Sequence, residues 1–173
     1  MLDPKVSTSV LHTFMMLGDY TNVLNEPRNP ESSVVVAIAH RELGGSAEEA
    51  LQVLSTEPST LPLKTPFEGV MGGDRAKTRA AALALFDDDF PDGETFYHLA
   101  RGLARVGELD LATESFTRAI RSFFCVPGID RDRWIDPLRG RADFEAALAT
   151  ARERHLRTVV QFESAGGRRL IDA

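Results

Sequence analysis

This sequence is short of the residues and runs that mark several large classes of protein. It has one cysteine, Cys125, so no disulfide can form within the chain, which is typical of a reducing compartment. No run approaches the roughly 18 apolar residues of a transmembrane helix. The start, MLDPKVSTSV, lacks the basic flank and apolar core of a secretory signal. We therefore expect a cytoplasmic protein without membrane contact.

Motifs that carry chemistry are missing as well. There is no Gly-x-Ser-x-Gly, HExxH or Cys-x-x-Cys, and the four histidines follow no metal-ligand spacing. GGDRAKT (72–78) lacks the Gly-Lys pair of a P-loop and is interpreted as a turn, and FDDDFPD (86–92) lacks EF-hand spacing and is interpreted as a linker. We predict no catalytic residue, no cofactor and no metal site. Because catalytic partners can meet in space rather than in sequence, an enzyme is the least favoured of three alternatives.

The charge is negative and uneven. The net charge is −6, and residues 1–100 carry 7 basic and 15 acidic side chains, whereas residues 101–173 carry 13 and 11. An acidic surface repels the phosphate backbone, so we expect no nucleic acid partner. The 17 arginines against 3 lysines indicate a GC-rich bacterial source.

Amphipathic helical segments with a glycine near the middle fill most of the chain. The glycines are Gly18, Gly44 or Gly45, Gly72 or Gly73, and Gly107. Each is followed by a residue that can cap a new helix, namely Asp19, Ser46, Asp74 and Asp110, and Ser46 with Glu49 has the spacing of a capping box. The pattern predicts four helical hairpins, at about 6–26, 32–57, 66–90 and 93–126. SSVVVAIAH (32–40) is predicted to be a buried helix rather than a strand.

Residues 127–173 are predicted to be a capping region. Asp136 is expected to cap a short helix that starts at Pro137, and a long helix is expected from about 143 to 164, ending at Gly166 and Gly167. Trp134 is interpreted as a packing anchor and Cys125 as a buried apolar group. One face of the long helix collects apolar and weakly polar residues: Phe144, Leu148, Ala151, His155, Val159 and Phe162.

The fourth hairpin resembles a tetratricopeptide repeat. The aromatic, Leu-small and bulky positions of that family's first helix match Phe96, Leu99, Ala100 and Leu103, and those of its second helix match Ala112, Phe116 and Ala119. The closing proline, Pro127, lies three positions late. Residues 123–171 have an aromatic-Cys-x-Pro turn, a Trp-x-Asp-Pro-Leu-Arg turn and a final helix that ends near Gly-Gly. In these elements they are similar to the ends of large bacterial signalling proteins in which repeats follow a kinase or cyclase domain, and the combined resemblance covers residues 93–169. The resemblance implies an all-α, right-handed superhelix of stacked antiparallel hairpins with a C-terminal capping helix, in one continuous array.

The same resemblance implies a function. Repeats of this family bind peptides on the concave face lined by their first helices, and the groove positions of the fourth hairpin are Glu94, Tyr97, Arg101 and Arg105. We therefore expect a non-catalytic module that binds a peptide or a partner domain. The alternative is a structural, regulatory or dimerising tail of a larger bacterial signalling protein, in which case a homodimer is expected. Solvated helix residues with no partner are the simplest interpretation of the same four positions.

Overall fold

A computed structural model describes residues 11–26, 32–56, 62–87, 92–122, 124 and 127–171 of the chain. Cys125 and the outer ends of several predicted hairpins (6–10, 57, 88–90, 123, 125 and 126) lie outside the described residues. Within the described part every regular element is a helix, and no strand occurs. The all-α prediction is therefore confirmed for these residues.

Each predicted hairpin segment contains two helices joined by a short turn. They are α1 (residues 11–16) with α2 (Tyr20–Asn25), α3 (Ser33–Glu42) with α4 (Ala47–Ser55), α5 (Lys64–Gly72) with α6 (Arg75–Asp87), and α7 (Gly93–Arg105) with α8 (Leu109–Arg121). Two 3-10 helices follow, Pro127–Arg131 and Arg133–Leu138, and then α9 (Ala142–Ser164) and the short α10 (Arg168–Ile171). The β-branched run at 32–40 begins at the N-cap of α3, Ser32, and continues inside the helix, whose side chains are largely buried.

The four turns between paired helices are built alike. Gly18, Gly44, Gly73 and Gly107 all have positive φ, between 70° and 88°. In each turn the next residue donates its backbone N–H to the carbonyl five positions back, as in Glu108 to Leu103 at 2.9 Å and Asp74 to Gly69 at 2.8 Å. This is the Schellman arrangement, which needs a residue in the left-handed region, where glycine is strained least.

Helix starts follow the predicted caps in three hairpins and differ in the fourth. Asp19 accepts from the Asn22 N–H, Ser46 and Glu49 form the capping box, and Asp74 accepts from the Lys77 N–H. Asp110 lies inside the first turn of α8, where Glu108 is the cap residue, so the prediction for Asp110 was wrong.

The predicted short helix at Pro137 was also wrong. Pro137 lies inside the second 3-10 helix, whose N-cap is Asp132, with its carboxylate on the Trp134 N–H at 2.9 Å. Asp132 caps because it comes directly before the turn, whereas Asp136 lies within it.

Consecutive hairpins pack in chain order. α2 contacts α3, α4 contacts α5, α6 contacts α7, and α8 contacts α9. One apolar core joins the first five helices with Trp134, and a second joins α6 to α9 with the 3-10 segment. The second 3-10 helix packs on α7, so the predicted capping region also covers the side of the fourth hairpin. Among the described helices, none has both the length and the apolar character to span a membrane.

Candidate functional site

Arg101 is the only buried arginine or lysine among the residues whose burial the structure describes, and it organises the most unusual site. Helix α7 places Tyr97, His98 and Arg101 at spacings of one and three residues, and all three are buried because α5, α8 and the second 3-10 helix pack around this helix. A guanidinium that is buried away from solvent needs a counter-charge and hydrogen-bonding partners.

Asp132 supplies the counter-charge. Its Oδ2 lies 2.6 Å from Arg101 Nε and accepts a hydrogen bond from the Tyr97 hydroxyl at 2.7 Å, while its Oδ1 accepts from the Trp134 N–H at 2.9 Å. Both carboxylate oxygens are therefore engaged, and the side chains of the Arg101–Asp132 pair are at most 2% exposed. We call Tyr97, His98, Arg101, Asp132 and Trp134 the arginine cluster.

Residues from the first three hairpins complete the surroundings of the cluster. Arg101 Nη1 lies 3.0 Å from the sulfur of Met15 in α1, and the indole N–H of Trp134 donates to Glu42 Oε1 in α3 at 2.7 Å. The Trp134 ring stacks on Phe67 of α5 with centroids 6.4 Å apart. The Arg101 guanidinium carbon lies 5.3 Å from the Trp134 centroid, within cation–π range. All four hairpins therefore contribute to the cluster.

Burial keeps the tyrosine of the cluster protonated. Desolvation, with the Asp132 charge in addition, raises the pKa of Tyr97 well above its usual value. The phenol is therefore a permanent donor to Asp132 rather than a titrating group, and the cluster has the chemistry of a structural carboxylate clamp.

A second group of polar residues lies at the edge of the cluster. Glu94 Oε1 is 3.3 Å from His12 Nε2 and 3.8 Å from His98 Nε2. Burial lowers the pKa of His98 to about 4. The hydrogen bond from His98 lowers the pKa of Glu94. His98 is thus neutral and Glu94 ionised at neutral pH.

The trio of His12, Glu94 and His98 has the donor set of a metal site, with potential ligand atoms within 4.8 Å of one another. However, Arg101 Nη1 lies 3.2 Å from His98 Nδ1, and because arginine can only donate, Nδ1 must accept. The neutral ring then carries its proton on Nε2, which faces Glu94. A metal ion would need that lone pair, so the residues present do not fit a metal.

The four residues predicted to bind a partner lie in different environments. Tyr97 and Arg101 are fully buried, and the carboxylate that they hold is Asp132 of the same chain. They are not available to a partner in this structure. Glu94 keeps 45% of its side chain exposed, and Arg105 is exposed with its guanidinium carbon 5.3 Å from the Trp134 centroid. Contact of a partner with Glu94 and Arg105 stays a prediction.

Sequence reasoning missed Asp132, Glu42 and His12 as members of this region. Asp132 is 31 positions from Arg101, and Trp134 is 92 positions from Glu42. No local spacing reports such contacts. The one available signal was the position of Asp132, two residues before Trp134 in a turn, which suggests a helix cap but not an ion pair.

An open groove of about 740 Å³ lies elsewhere, along the outer side of α8. Basic and acidic side chains are mixed along it: Arg118 pairs with Glu114 at 2.8 Å and its guanidinium carbon lies 4.2 Å from the Phe86 ring centroid. The groove therefore offers no concentrated charge for a ligand of one sign.

Comparison with known proteins identifies no similar protein. The chain matches no protein-family model, no curated protein and no solved structure at a significant level. The resemblance to tetratricopeptide repeats therefore depends on the residues quoted above.

Proposed function

We propose that this chain is a non-catalytic protein-interaction module of the tetratricopeptide type, in which stacked hairpins follow a right-handed superhelix and bind a peptide or partner domain. The observation that carries the proposal is the four-fold repetition of one turn geometry, helix, left-handed glycine and helix, with neighbouring hairpins in contact. Hairpins that bury their apolar faces on each other in this way form extended surfaces, which such proteins use for binding.

The partner surface in this proposal is the Trp134 end of α7. The middle of α7 is covered by the second 3-10 helix, so a partner reaches only residues at the margin of that contact. Arg105 is exposed there, beside a Trp134 ring whose N–H is already bound to Glu42. An exposed guanidinium held over an aromatic ring is a suitable site for a carboxylate of an acidic peptide.

The proposal is tested by comparing three proteins in pull-down and crosslinking experiments: the wild type, Arg105→Glu and Arg121→Glu. Arg121 is an exposed arginine of α8, so its substitution makes the same charge change on another surface. We expect partners retained by the wild type and by Arg121→Glu to be lost with Arg105→Glu. Equal retention by all three proteins would remove Arg105 from the proposal. Arg101→Glu is not a suitable probe, because it would place two buried carboxylates side by side.

A second candidate function is a regulatory or dimerising tail of a larger bacterial signalling protein in the cytoplasm. The observation in its favour is a group of exposed apolar side chains near the end of α9, including Leu156 and Val160. A kinase or cyclase domain encoded upstream in the same reading frame would support this candidate, and a reading frame without one would argue against it.

A further inference from the structure

Glu42 is the last residue of helix α3, where its charge is unfavourable on local grounds. The unpaired carbonyl groups at the C-terminus of a helix carry partial negative charge, which repels a carboxylate. The two preceding residues follow the usual preference, since His40 and Arg41 are basic. A residue that violates a local preference is expected to have a compensating contact or a function.

The compensating contact of Glu42 is the indole of Trp134. Glu42 Oε1 accepts a hydrogen bond from the indole N–H at 2.7 Å, and the tryptophan is 2% exposed. Phe67 stacks on the same ring with an angle of 19° between the ring planes. Stacking restrains the plane of an indole, whereas the hydrogen bond selects which edge of it faces α3, because only one edge carries the donor. Glu42 therefore fixes the orientation of the ring.

Arg105 has the same position in its hairpin as Glu42 has in its own. Each is the last residue of the first helix, two positions before the glycine with positive φ, which is Gly107 for Arg105 and Gly44 for Glu42. The Arg105 guanidinium carbon lies 5.3 Å from the Trp134 centroid. Among the described ion pairs none joins Glu42 to Arg105, so the indole is the contact that connects them.

We propose that Glu42 is a positioning residue for the partner site at Arg105, acting through Trp134. This inference rests on the proposed function and adds a residue of the second hairpin to that site. An indole whose N–H donates to a carboxylate is polarised toward more negative charge on its ring, which strengthens its attraction for a cation. A guanidinium that is held in place beforehand loses less conformational freedom when it binds a partner carboxylate.

The test uses an acetylated hexaglutamate peptide as the probe and the fluorescence of Trp134, the one tryptophan of the chain, as the signal. Glu42→Leu removes the acceptor and should weaken binding about tenfold, which is the size of one cation–π contact. Glu42→Gln keeps an acceptor oxygen and should stay within about threefold of the wild type. The matched control is Glu48→Leu, a change of an exposed glutamate in the same hairpin, which should leave binding unchanged.

Nuclear magnetic resonance gives a readout that a general loss of stability would not move. The single indole N–H resonance of Trp134 should shift upfield and exchange faster with water in Glu42→Leu, because its acceptor is gone. The side-chain protons of Arg105 should also shift, since their position over the ring changes. Neither signal should change in Glu48→Leu. Circular dichroism verifies that all variants are folded.

The outcomes separate this inference from the proposed function. If Arg105→Glu abolishes hexaglutamate binding while Glu42→Leu binds as tightly as the wild type, the positioning role of Glu42 is wrong and the site at Arg105 stands. If Glu42→Gln loses as much as Glu42→Leu and the Arg105 resonances stay in place, Glu42 acts by its charge alone, which also overturns the inference. A wild type that does not bind the peptide, or binds it no better than Arg105→Glu, would overturn the site and the inference together.

Discussion

Exchanging Asp132 for asparagine is the sharpest test of the arginine cluster. The substitution keeps the size of the side chain and leaves one oxygen to accept from the Trp134 N–H. It removes the charge facing Arg101 and turns an amide N–H₂ toward two donors, the Arg101 Nε and the Tyr97 hydroxyl. The guanidinium then stays buried without a counter-charge.

The expected loss is large compared with the stability of a single domain. Breaking one side of a buried ion pair costs about 3–5 kcal/mol, out of roughly 5–15 kcal/mol for a typical domain. At about 2–4 °C per kcal/mol for a chain of this size, the melting temperature should fall by about 6–20 °C. Urea unfolding followed by circular dichroism measures the free energy, and calorimetry measures the melting temperature.

A double-mutant cycle separates the pair from its surroundings. Arg101→Met alone should also cost about 3–5 kcal/mol, but the double variant Arg101→Met, Asp132→Asn should lose up to about 3 kcal/mol less than the sum of the single variants. The control cycle uses Arg152 and Asp130, a pair whose side chains are about half exposed and which should couple by under about 1 kcal/mol. If the Arg101–Asp132 cycle is additive within about 0.5 kcal/mol, the pair does not hold the region together.

Three further outcomes are expected. The folded-state pKa of His98 is about 4, below its unfolded value of 6.5, so the unfolded state binds more protons between these pH values. The free energy of unfolding should therefore fall by up to about 3 kcal/mol from pH 7 to 4. Urea midpoints of the His98→Gln variant should depend less on pH, and an unchanged pH dependence would contradict this explanation. A Cβ on Gly102 would lie 2.9 Å from Val70 Cγ2, so Gly102→Ala should lower the free energy of unfolding by about 1–3 kcal/mol. Adding Val70→Ala should restore part of that stability. If calorimetry shows no recovery in the double variant, the steric explanation is wrong. Glu108 accepts hydrogen bonds from Arg75 and Arg79, so Glu108→Gln should lower the free energy of unfolding by about 1 kcal/mol at low salt. The loss should be smaller in 1 M NaCl, because salt screens the ion pairs. A loss that does not depend on salt would exclude the ion pairs as its cause.

Local signals in the sequence predicted the local structure well. Gly18, Gly107 and the caps Asp19, Ser46 and Asp74 were identified directly, because turn and cap chemistry act over about five residues. At the other two turns the sequence left two neighbouring glycines open, and Gly44 and Gly73 are the ones with positive φ. The long terminal helix was placed within one residue of its observed bounds at both ends. The prediction for Asp110 failed because spacing alone does not rank neighbouring acidic residues: Glu108 occupies the N-cap position, although its side chain makes no cap hydrogen bond.

The site could not be predicted in the same way. The family resemblance selected Tyr97 and Arg101 as groove residues, and they do hold a carboxylate, but it comes from Asp132 of the chain itself. That contact depends on how residues 127–138 return to α7, which is decided by packing over long sequence separations. Similarly, periodicity identified the apolar face of α9, but it did not predict which part of that face packs on α8. The apolar pattern of one helix contains no information on the length of its neighbour.

The arginine cluster also links the four described hairpins to one another. Arrays of repeats commonly change through duplication or deletion of whole units, because each unit touches only its neighbours. Here Met15, Glu42, Phe67 and Arg101, one from each hairpin, meet around Trp134 or its neighbours. Deleting one of these hairpins, or inserting a unit between two of them, would separate these partners and leave a buried charge without its counter-charge, so we expect such a change to destabilise the fold.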